Sequence, residues 1–480
     1  MTAKNKFDDI SIEAILTPYN PWWKAGDVKT EDFKRPVFHK IFKDLLNLKQ
    51  IISITGPRRV GKTTILKQIT RALILEQNVE PSRIIYFSFD DPLLAEPHVK
   101  EHFFDNLIQW ADVKHQDKLV YFFLDEIQKF DRWELYLKKY FDLSFPVRFV
   151  ISGSASSPIF RKSRESLLGR IKDNHLLPFS FKEFVYFRSA GNQELLDFVN
   201  RAGQFGHKLQ RELAVNWKEI ESEAGPLKLS TETFAELNLR LDEYFVEGGF
   251  PEAWEIDDFV SRQEYLFDNQ VKKVIFEDLV IATEFRKPEN IKTFYISLVE
   301  QPGQEINIEK TAQKTGISRP MLEKYLPLLE MTDLVKTIPR FSKRPLKFRR
   351  GSMKCYLIDL ALRNAILKLN EDLLKDDTMM GLYAENLVFN ALRQFEGQIE
   401  LTFFKDTRRE IDFVVHLGGK RYLPVEVKYR RTPDDLPAME WFLKEHNQSL
   451  GIVVTKDFYH PSAPSGKVLF IPLSVFLLFF

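Results

Sequence analysis

Four short apolar runs punctuate the first third of the chain: QIISIT (50–55), RIIYFSF (83–89), LVYFFL (119–124) and VRFVIS (147–152). Each is rich in β-branched and aromatic residues and lacks an interior proline. Helix-sized stretches separate them, so the pattern predicts parallel strands in an α/β layer fold. Before Arg35 there is little periodicity, and Pro21-Trp22-Trp23 leaves open whether this arm docks on a neighbour or on its own core. From about Glu183 to Arg286 the spacing is helical, broken mainly at Gly248-Gly249 and Pro251. Residues 288–358 predict a compact helical unit ending in a two-stranded wing. Beyond Lys375 a helix precedes the strand-like runs IELTFF (399–404), EIDFVVHL (410–417) and RYLPVEVKYR (421–430). The expected divisions are an arm over 1–35, an α/β core over 36–185, a helical lid over 186–287, a winged helical unit over 288–374 and an α/β module over 375–480.

Composition narrows this picture without redirecting it. The 480 residues allow two to four domains. Lys and Arg number 69 against 68 Asp and Glu, so any nucleic-acid surface must be a local patch rather than a global field. A single cysteine, Cys355, excludes an internal disulfide framework and a Cys-rich zinc module. The nine histidines show no HExxH spacing, and most of the 42 phenylalanines are expected in the core. The N-terminal stretch has no apolar signal-like region, and VLFIPLSVFLLFF (468–480) is too short to span a bilayer as a helix and contains Pro472. That closing run predicts a core strand plus a docked tail. The expectation is a soluble, cytoplasmic protein with no membrane partner.

The chemistry starts at Gly56-Pro57-Arg58-Arg59-Val60-Gly61-Lys62-Thr63, followed by Thr64, which fits GxxxxGK[ST] between a predicted strand and a predicted helix. Glycines there permit a tight turn whose N–H groups surround phosphates, and the helix N-terminus adds its dipole. Lys62 is expected on the β- and γ-phosphates and the Thr63 hydroxyl on Mg²⁺. YFFLDE (121–126) supplies the other half: Asp125 emerges at a strand end to hold Mg²⁺, and Glu126 orients and polarises the attacking water. VRFVIS runs into Gly153-Ser154, where Ser154 is expected beside the γ-phosphate as a polar sensor; a turn or N-cap role is the alternative. ATP and Mg²⁺ are the expected cofactors.

In order along the chain, ITGPRRVGKTT, FFLDEIQK, ISGSASS, LLGR (167–170), LLPFSFKEF (176–184) and GGFP (248–251) resemble the prokaryotic AAA-type ATPases known mostly as "ATP-binding protein". The resemblance runs from about residue 36 to the C-terminus. It implies a doubly wound sheet with a helical lid, a winged helix and a nuclease-like C-terminal domain. It also implies that Arg170 acts as an arginine finger and that the turn Gly249-Phe250-Pro251 touches the adenine. A surface salt bridge is the alternative for Arg170, and Arg161 and Arg164 lie nearby. A finger acting in trans implies a homo-oligomer, possible as a ring.

Residues 307–335 read as helix, Gly316-Ile317-Ser318 turn and helix, with Ala312, Ile317, Leu322 and Leu326 forming a small core: a helix-turn-helix. The following IPRFSKRPLKFRR (338–350) is basic and free of acids. Farther on, Glu385 has Val388, Phe389 and Leu392 at i+3, i+4 and i+7, so it lies on or beside an inward helix face and needs a partner. Strand alternation puts Asp412 opposite Ile411, Phe413 and Val415, and puts Glu426 and Lys428 on one face opposite Val425 and Val427. Glu385, Asp412, Glu426 and Lys428 resemble the PD-(D/E)XK nuclease pattern. It implies that the three acids hold Mg²⁺ and that Lys428 orients water or stabilises the transition state. The combined expectation is Mg²⁺-dependent ATP hydrolysis coupled to branched or double-stranded DNA. The alternative is a slow nucleotide switch signalling to a protein partner through an inactive nuclease fold.

Overall fold

The computed structural model describes residues 12–95, 97–116, 118–154, 166–212, 227–280, 287–342, 352–395, 399–430, 436–459 and 466–479. The chain divides into two compact units, one formed by 1–177 with 277–285 and the other by 178–276 with 286–480.

The first unit is built on a parallel sheet of β1 (Ile51–Gly56), β2 (Ile84–Ser88), β3 (Val120–Asp125), β4 (Val147–Ser154) and β5 (Ile171–His175), in the order β2-β3-β4-β1-β5. The four apolar runs are β1 to β4, and every residue of β1 and β3 is buried. Parallel strands covered on both faces need such continuous apolar runs. The fifth strand, IKDNH, was not expected; it is polar because it lies at a sheet edge, with only one buried residue. Helices Pro36–Asn47 and Lys62–Leu75 pack on β1, and Trp133–Asp142 packs on β4. Many phenylalanines do serve the core here, with Phe87, Phe103, Phe104, Phe122 and Phe149 buried in one cluster around Trp133.

The opposite edge, β2, is covered by the N-terminal arm. The Asn20 side chain accepts from the Tyr86 N–H at 2.7 Å and donates to the Tyr86 carbonyl at 2.9 Å, taking the place of a neighbouring strand. Both indole N–H groups of Trp22 and Trp23 donate to the Ile84 carbonyl, at 3.1 and 2.9 Å. Trp23 stacks on Trp110, and Lys114 lies over both rings. The arm therefore docks on its own core.

The second unit opens with helices Phe181–Arg188, Gln193–Glu212, Thr231–Glu247 and Phe259–Leu266. Helices Pro288–Val299, Ile308–Thr315 and Arg319–Met331 then lead into an antiparallel pair, β6 (Val335–Pro339) and β7 (Met353–Leu357). Ile317, Leu322 and Leu326 are buried as expected, with Ala312 half-buried. The basic stretch Lys343, Arg344, Lys347, Arg349 and Arg350 lies outside the described residues. After helices Leu360–Leu367 and Asp377–Leu392 comes a second five-stranded sheet, β12-β11-β10-β9-β8. Its members are β8 (Glu400–Lys405), β9 (Glu410–His416), β10 (Tyr422–Lys428), β11 (Gly451–Thr455) and β12 (Val468–Pro472). β8, β9 and β10 pair antiparallel; β10, β11 and β12 pair parallel. The closing apolar run is β12 plus a short buried helix, Leu473–Phe476. Among the described residues no helix is long and apolar enough to cross a membrane.

Candidate functional site

The phosphate-loop motif follows β1 and opens the helix Lys62–Leu75. Gly56 has φ +146°, and a Cβ there would collide with the Leu176 carbonyl oxygen; Gly61 has φ +91° at the helix N-cap. Both glycines are thus demanded by backbone geometry. The Val60 carbonyl accepts from Arg35, which also donates to the Leu177 carbonyl, each at 3.0 Å, so a buried arginine of the arm braces the loop from behind. Lys62 is buried, its ammonium donating to the carbonyls of Gly56 at 3.1 Å and Pro57 at 2.6 Å. Burial pulls its pKa down, while Glu126 and Asp125 oppose that shift. Arg58 is turned to Asp278, with Nε at 3.1 Å and a terminal nitrogen at 2.6 Å.

At the end of β3, Asp125 gathers the site. Its Oδ2 accepts from the Thr63 hydroxyl and from the Tyr86 hydroxyl, each at 2.8 Å. Its Oδ1 accepts from the Glu126 N–H at 3.0 Å and from the buried Ser152 hydroxyl. Thr63 and Asp125 therefore present adjacent hard oxygen donors, the set that suits Mg²⁺. Glu126 sits at φ +51° and accepts from Gln128. Burial raises the Glu126 pKa and the nearby Lys62 charge pulls it back. A desolvated carboxylate beside a loop for phosphate is the arrangement expected of a general base.

The other expected positions fall as follows. Ser154 ends β4, its backbone opposite Gly56 in register, and its side chain lies outside the described residues. Ser152, two residues earlier and so on the same strand face, is the serine that reaches Asp125. Arg170 is on the surface of the first unit, paired with Asp142 at 2.7 and 3.1 Å. Arg161 and Arg164 lie outside the described residues. Gly249, Phe250 and Pro251 belong to the second unit, where Gly249 N–H donates to Asp359 at 2.7 Å and its carbonyl accepts from Phe179 N–H at 2.8 Å. A Cβ on Gly249 would strike the Phe179 backbone, so close packing of two chain segments requires this glycine.

In the second unit Glu385, Asp412, Glu426 and Lys428 come to one end of the C-terminal sheet, but not as an open set of metal donors. Lys354, a β7 residue with 4% side-chain exposure, reaches Glu385 at 3.1 Å, Glu410 at 3.0 Å and Asp412 at 3.6 Å. The other Asp412 oxygen accepts from Val427 N–H at 2.8 Å, and Glu385 accepts from Tyr356 OH at 2.7 Å. Glu426 pairs with Lys428 at 2.8 Å. Among the described residues no group of three or more His, Cys, Asp or Glu side chains is placed to hold a metal. The expected Mg²⁺ set of Glu385, Asp412 and Glu426 is thus bound up from within by lysines and a main-chain donor.

Residues 48–185 match the family described as an AAA domain; residues 238–373 and 380–475 match two families described as Domain of unknown function, DUF8612 and DUF4143. An uncharacterized protein of Methanocaldococcus jannaschii is 27% identical over 437 residues, covering 88% of this chain and 86% of its own length. An uncharacterized protein of Haemophilus influenzae is 23% identical over 431 residues, covering 88% and 93%. Among solved structures, PCH-2 of C. elegans aligns at 13% identity over 48% of this chain and 62% of that one, with a TM-score of 0.27 too low to bear on fold or function. The parallel sheet, its phosphate loop and the acids at the end of β3 define a P-loop ATPase core of AAA type. Within that class the chain joins a match to the AAA domain with a C-terminal match to DUF4143, and it is similar over most of its length to one archaeal and one bacterial protein.

Proposed function

We propose that this protein hydrolyses ATP with Mg²⁺ and couples that cycle to DNA engaged by its second unit. The observation that carries the reading is the Thr63–Asp125 hydrogen bond of 2.8 Å, with Glu126 next in sequence and Lys62 close enough to perturb it. Lys62 neutralises phosphate charge, the Thr63 hydroxyl and Asp125 carboxylate supply oxygens to Mg²⁺, and Glu126 takes the proton of the attacking water. Mg²⁺ supplies electrostatic stabilisation of the transferred phosphoryl group. Arg170 serves a neighbouring copy once it leaves Asp142, which makes a homo-oligomer the working form.

Support for DNA comes from a cleft of about 780 Å³ in the second unit, lined by Lys428, Arg430 and Lys456 and by the acids Asp377 and Glu385. The three cations outnumber the two acids, a balance that suits a phosphodiester backbone. A second reading, a slow nucleotide switch with a non-cleaving nuclease fold, is favoured by one observation: the lysine-neutralised acids around Lys354. ATP turnover measured with Mg²⁺ over linear, forked and four-way DNA separates the two. Stimulation by any of these supports coupling to DNA; slow turnover indifferent to all of them supports the switch.

A further inference from the structure

Lys354 is an unusual residue to find at the centre of a carboxylate cluster. A buried ammonium is costly unless it is paired and hydrogen-bonded. Here it contacts one oxygen each of Glu385, Glu410 and Asp412, at 3.1, 3.0 and 3.6 Å. These carboxylates come from a helix and from β9, whereas the lysine comes from β7 of the small antiparallel sheet. The second Glu410 oxygen is taken by Lys405 at 3.0 Å. Of the four acids, one oxygen, Glu426 Oε2, is buried without a hydrogen-bond partner. Mg²⁺ takes near-octahedral oxygen coordination at about 2.0–2.1 Å, and that buried oxygen belongs to a carboxylate whose other oxygen is held by Lys428 at 2.8 Å. A divalent ion at bonding distance from Glu385 Oε1 and Asp412 Oδ1 would share those oxygens with the Lys354 ammonium, and like charges that close repel strongly.

We propose that Lys354 is the resident cation of this cluster, standing where the nuclease pattern calls for Mg²⁺, so that the C-terminal module engages phosphodiester without a divalent metal and does not cleave it. The lysine does what the metal would do structurally: it cancels carboxylate repulsion and draws the helix and β9 together. It lacks what catalysis requires, because an ammonium has no exchangeable coordination position for an activated water. The engagement of phosphodiester rests on the DNA reading above; the replacement of the metal does not.

The test is equilibrium Mn²⁺ binding to the full-length, nucleotide-free chain, followed by electron paramagnetic resonance. Wild type and Asp412→Asn are expected to bind the same number of Mn²⁺ ions, because any ion at Thr63 and Asp125 is common to both. One ion more in wild type than in Asp412→Asn overturns the proposal. Lys354→Met is expected to gain one Mn²⁺ that is lost again in Lys354→Met/Asp412→Asn, and to melt higher with Mn²⁺ than with EDTA. A folded Lys354→Met without that gain also overturns it. If Lys354→Met does not fold, the comparison of wild type, Asp412→Asn and the charge-retaining Lys354→Arg decides alone: equal counts support, unequal counts refute. In parallel, duplex and four-way DNA are bound in EDTA and in Mg²⁺. Equal affinity and intact DNA are expected, and Mg²⁺-dependent binding or cleavage overturns metal independence. Absence of DNA binding in both buffers rejects the DNA reading while the Mn²⁺ counts still judge Lys354.

Discussion

The guanidinium of Arg58, inside the phosphate loop, grips the carboxylate of Asp278 through two hydrogen bonds of 3.1 and 2.6 Å. Glu277 adds a weaker contact at 3.7 Å. The helical segment carrying both acids is wound as π-helix over Val274–Asp278, a conformation that often marks functional positions. One loop cation is thereby committed to a carboxylate.

Asp278→Asn should loosen that commitment. A hydrogen bond to a charged group contributes about 1.5–3 kcal/mol, and about 1.4 kcal/mol is tenfold in affinity. ATP should bind about tenfold more tightly, with a lower melting temperature in the absence of nucleotide. Titration with a fluorescent ATP analogue reads the first effect. Unchanged affinity would mean that Arg58 does not reach phosphate.

Glu126→Gln should retain ATP and lose turnover. The amide keeps the size of the carboxylate and can still meet Gln128, but it cannot accept a proton. General-base losses run to about 10²–10⁴-fold. Lys62→Ala should instead weaken binding itself, since its ammonium is the charge at the loop mouth. Paired binding and turnover measurements separate these outcomes; loss of ATP binding in Glu126→Gln would count against its role.

Asn20→Ala tests the arm. The substitution strips β2 of a side chain that both accepts from and donates to Tyr86, leaving two backbone groups without those partners. Unsatisfied buried groups cost about 1–3 kcal/mol each, and an uncovered edge strand invites pairing with other chains. Denaturant unfolding should show lower stability, and light scattering should show association on mild heating. Wild-type behaviour in both would make the arm dispensable.

Much of this architecture is legible in the chain, and the misses have physical causes. The strands β1 to β4 announce themselves because both faces are buried and the runs are uniformly apolar. β5 is concealed by Lys172, Asp173 and Asn174, which an edge strand tolerates. Thr63, Asp125 and Glu126 are readable because the loop and the strand end have fixed local spacing. Ser152 carries no signal of its own, because strand periodicity gives it the same face as Ser154, and only the register with β3 brings it to Asp125. Arg35 and Asp278 carry no local signal at all; each reaches the loop through the tertiary fold. Lys354 sits in MKCYL as one residue of an alternating strand, and its carboxylates lie 31, 56 and 58 positions away.

Asp359 gives a pH prediction with a definite sign. Fully buried, it accepts from Gly249 and Ala361 N–H groups, yet desolvation outweighs both and raises its pKa from 3.8 to about 6. A carboxyl whose folded value lies above its unfolded value binds more protons when folded. Its contribution is therefore fully present below about pH 4 and is lost as pH rises through about 6. That gap corresponds to about 3 kcal/mol. Denaturant unfolding of wild type and Asp359→Asn from pH 4 to 7 should differ in slope, wild type losing more stability on the rise. Parallel profiles would show that Asp359 ionises as readily as in the unfolded chain.

Arg170 offers the sharpest test of assembly. Its side chain is half-buried at the surface and, among the described residues, meets the exposed Asp142, while its main-chain carbonyl, which any residue retains, accepts from Ile51 N–H at 2.8 Å. Removing a solvated ion pair perturbs folding little, so Arg170→Ala should melt like wild type. If the guanidinium completes a neighbour's site, ATP turnover should nonetheless fall, by about 10³-fold or more where a finger acts on the transferred phosphoryl. Inactive Lys62→Ala subunits retain Arg170, and inactive Arg170→Ala subunits retain Lys62. Mixed together they should recover a fraction of activity, because some interfaces then carry both groups. Co-assembly without recovery places Arg170 in its own subunit's surface. Undiminished turnover by Arg170→Ala alone leaves the residue as nothing more than the partner of Asp142.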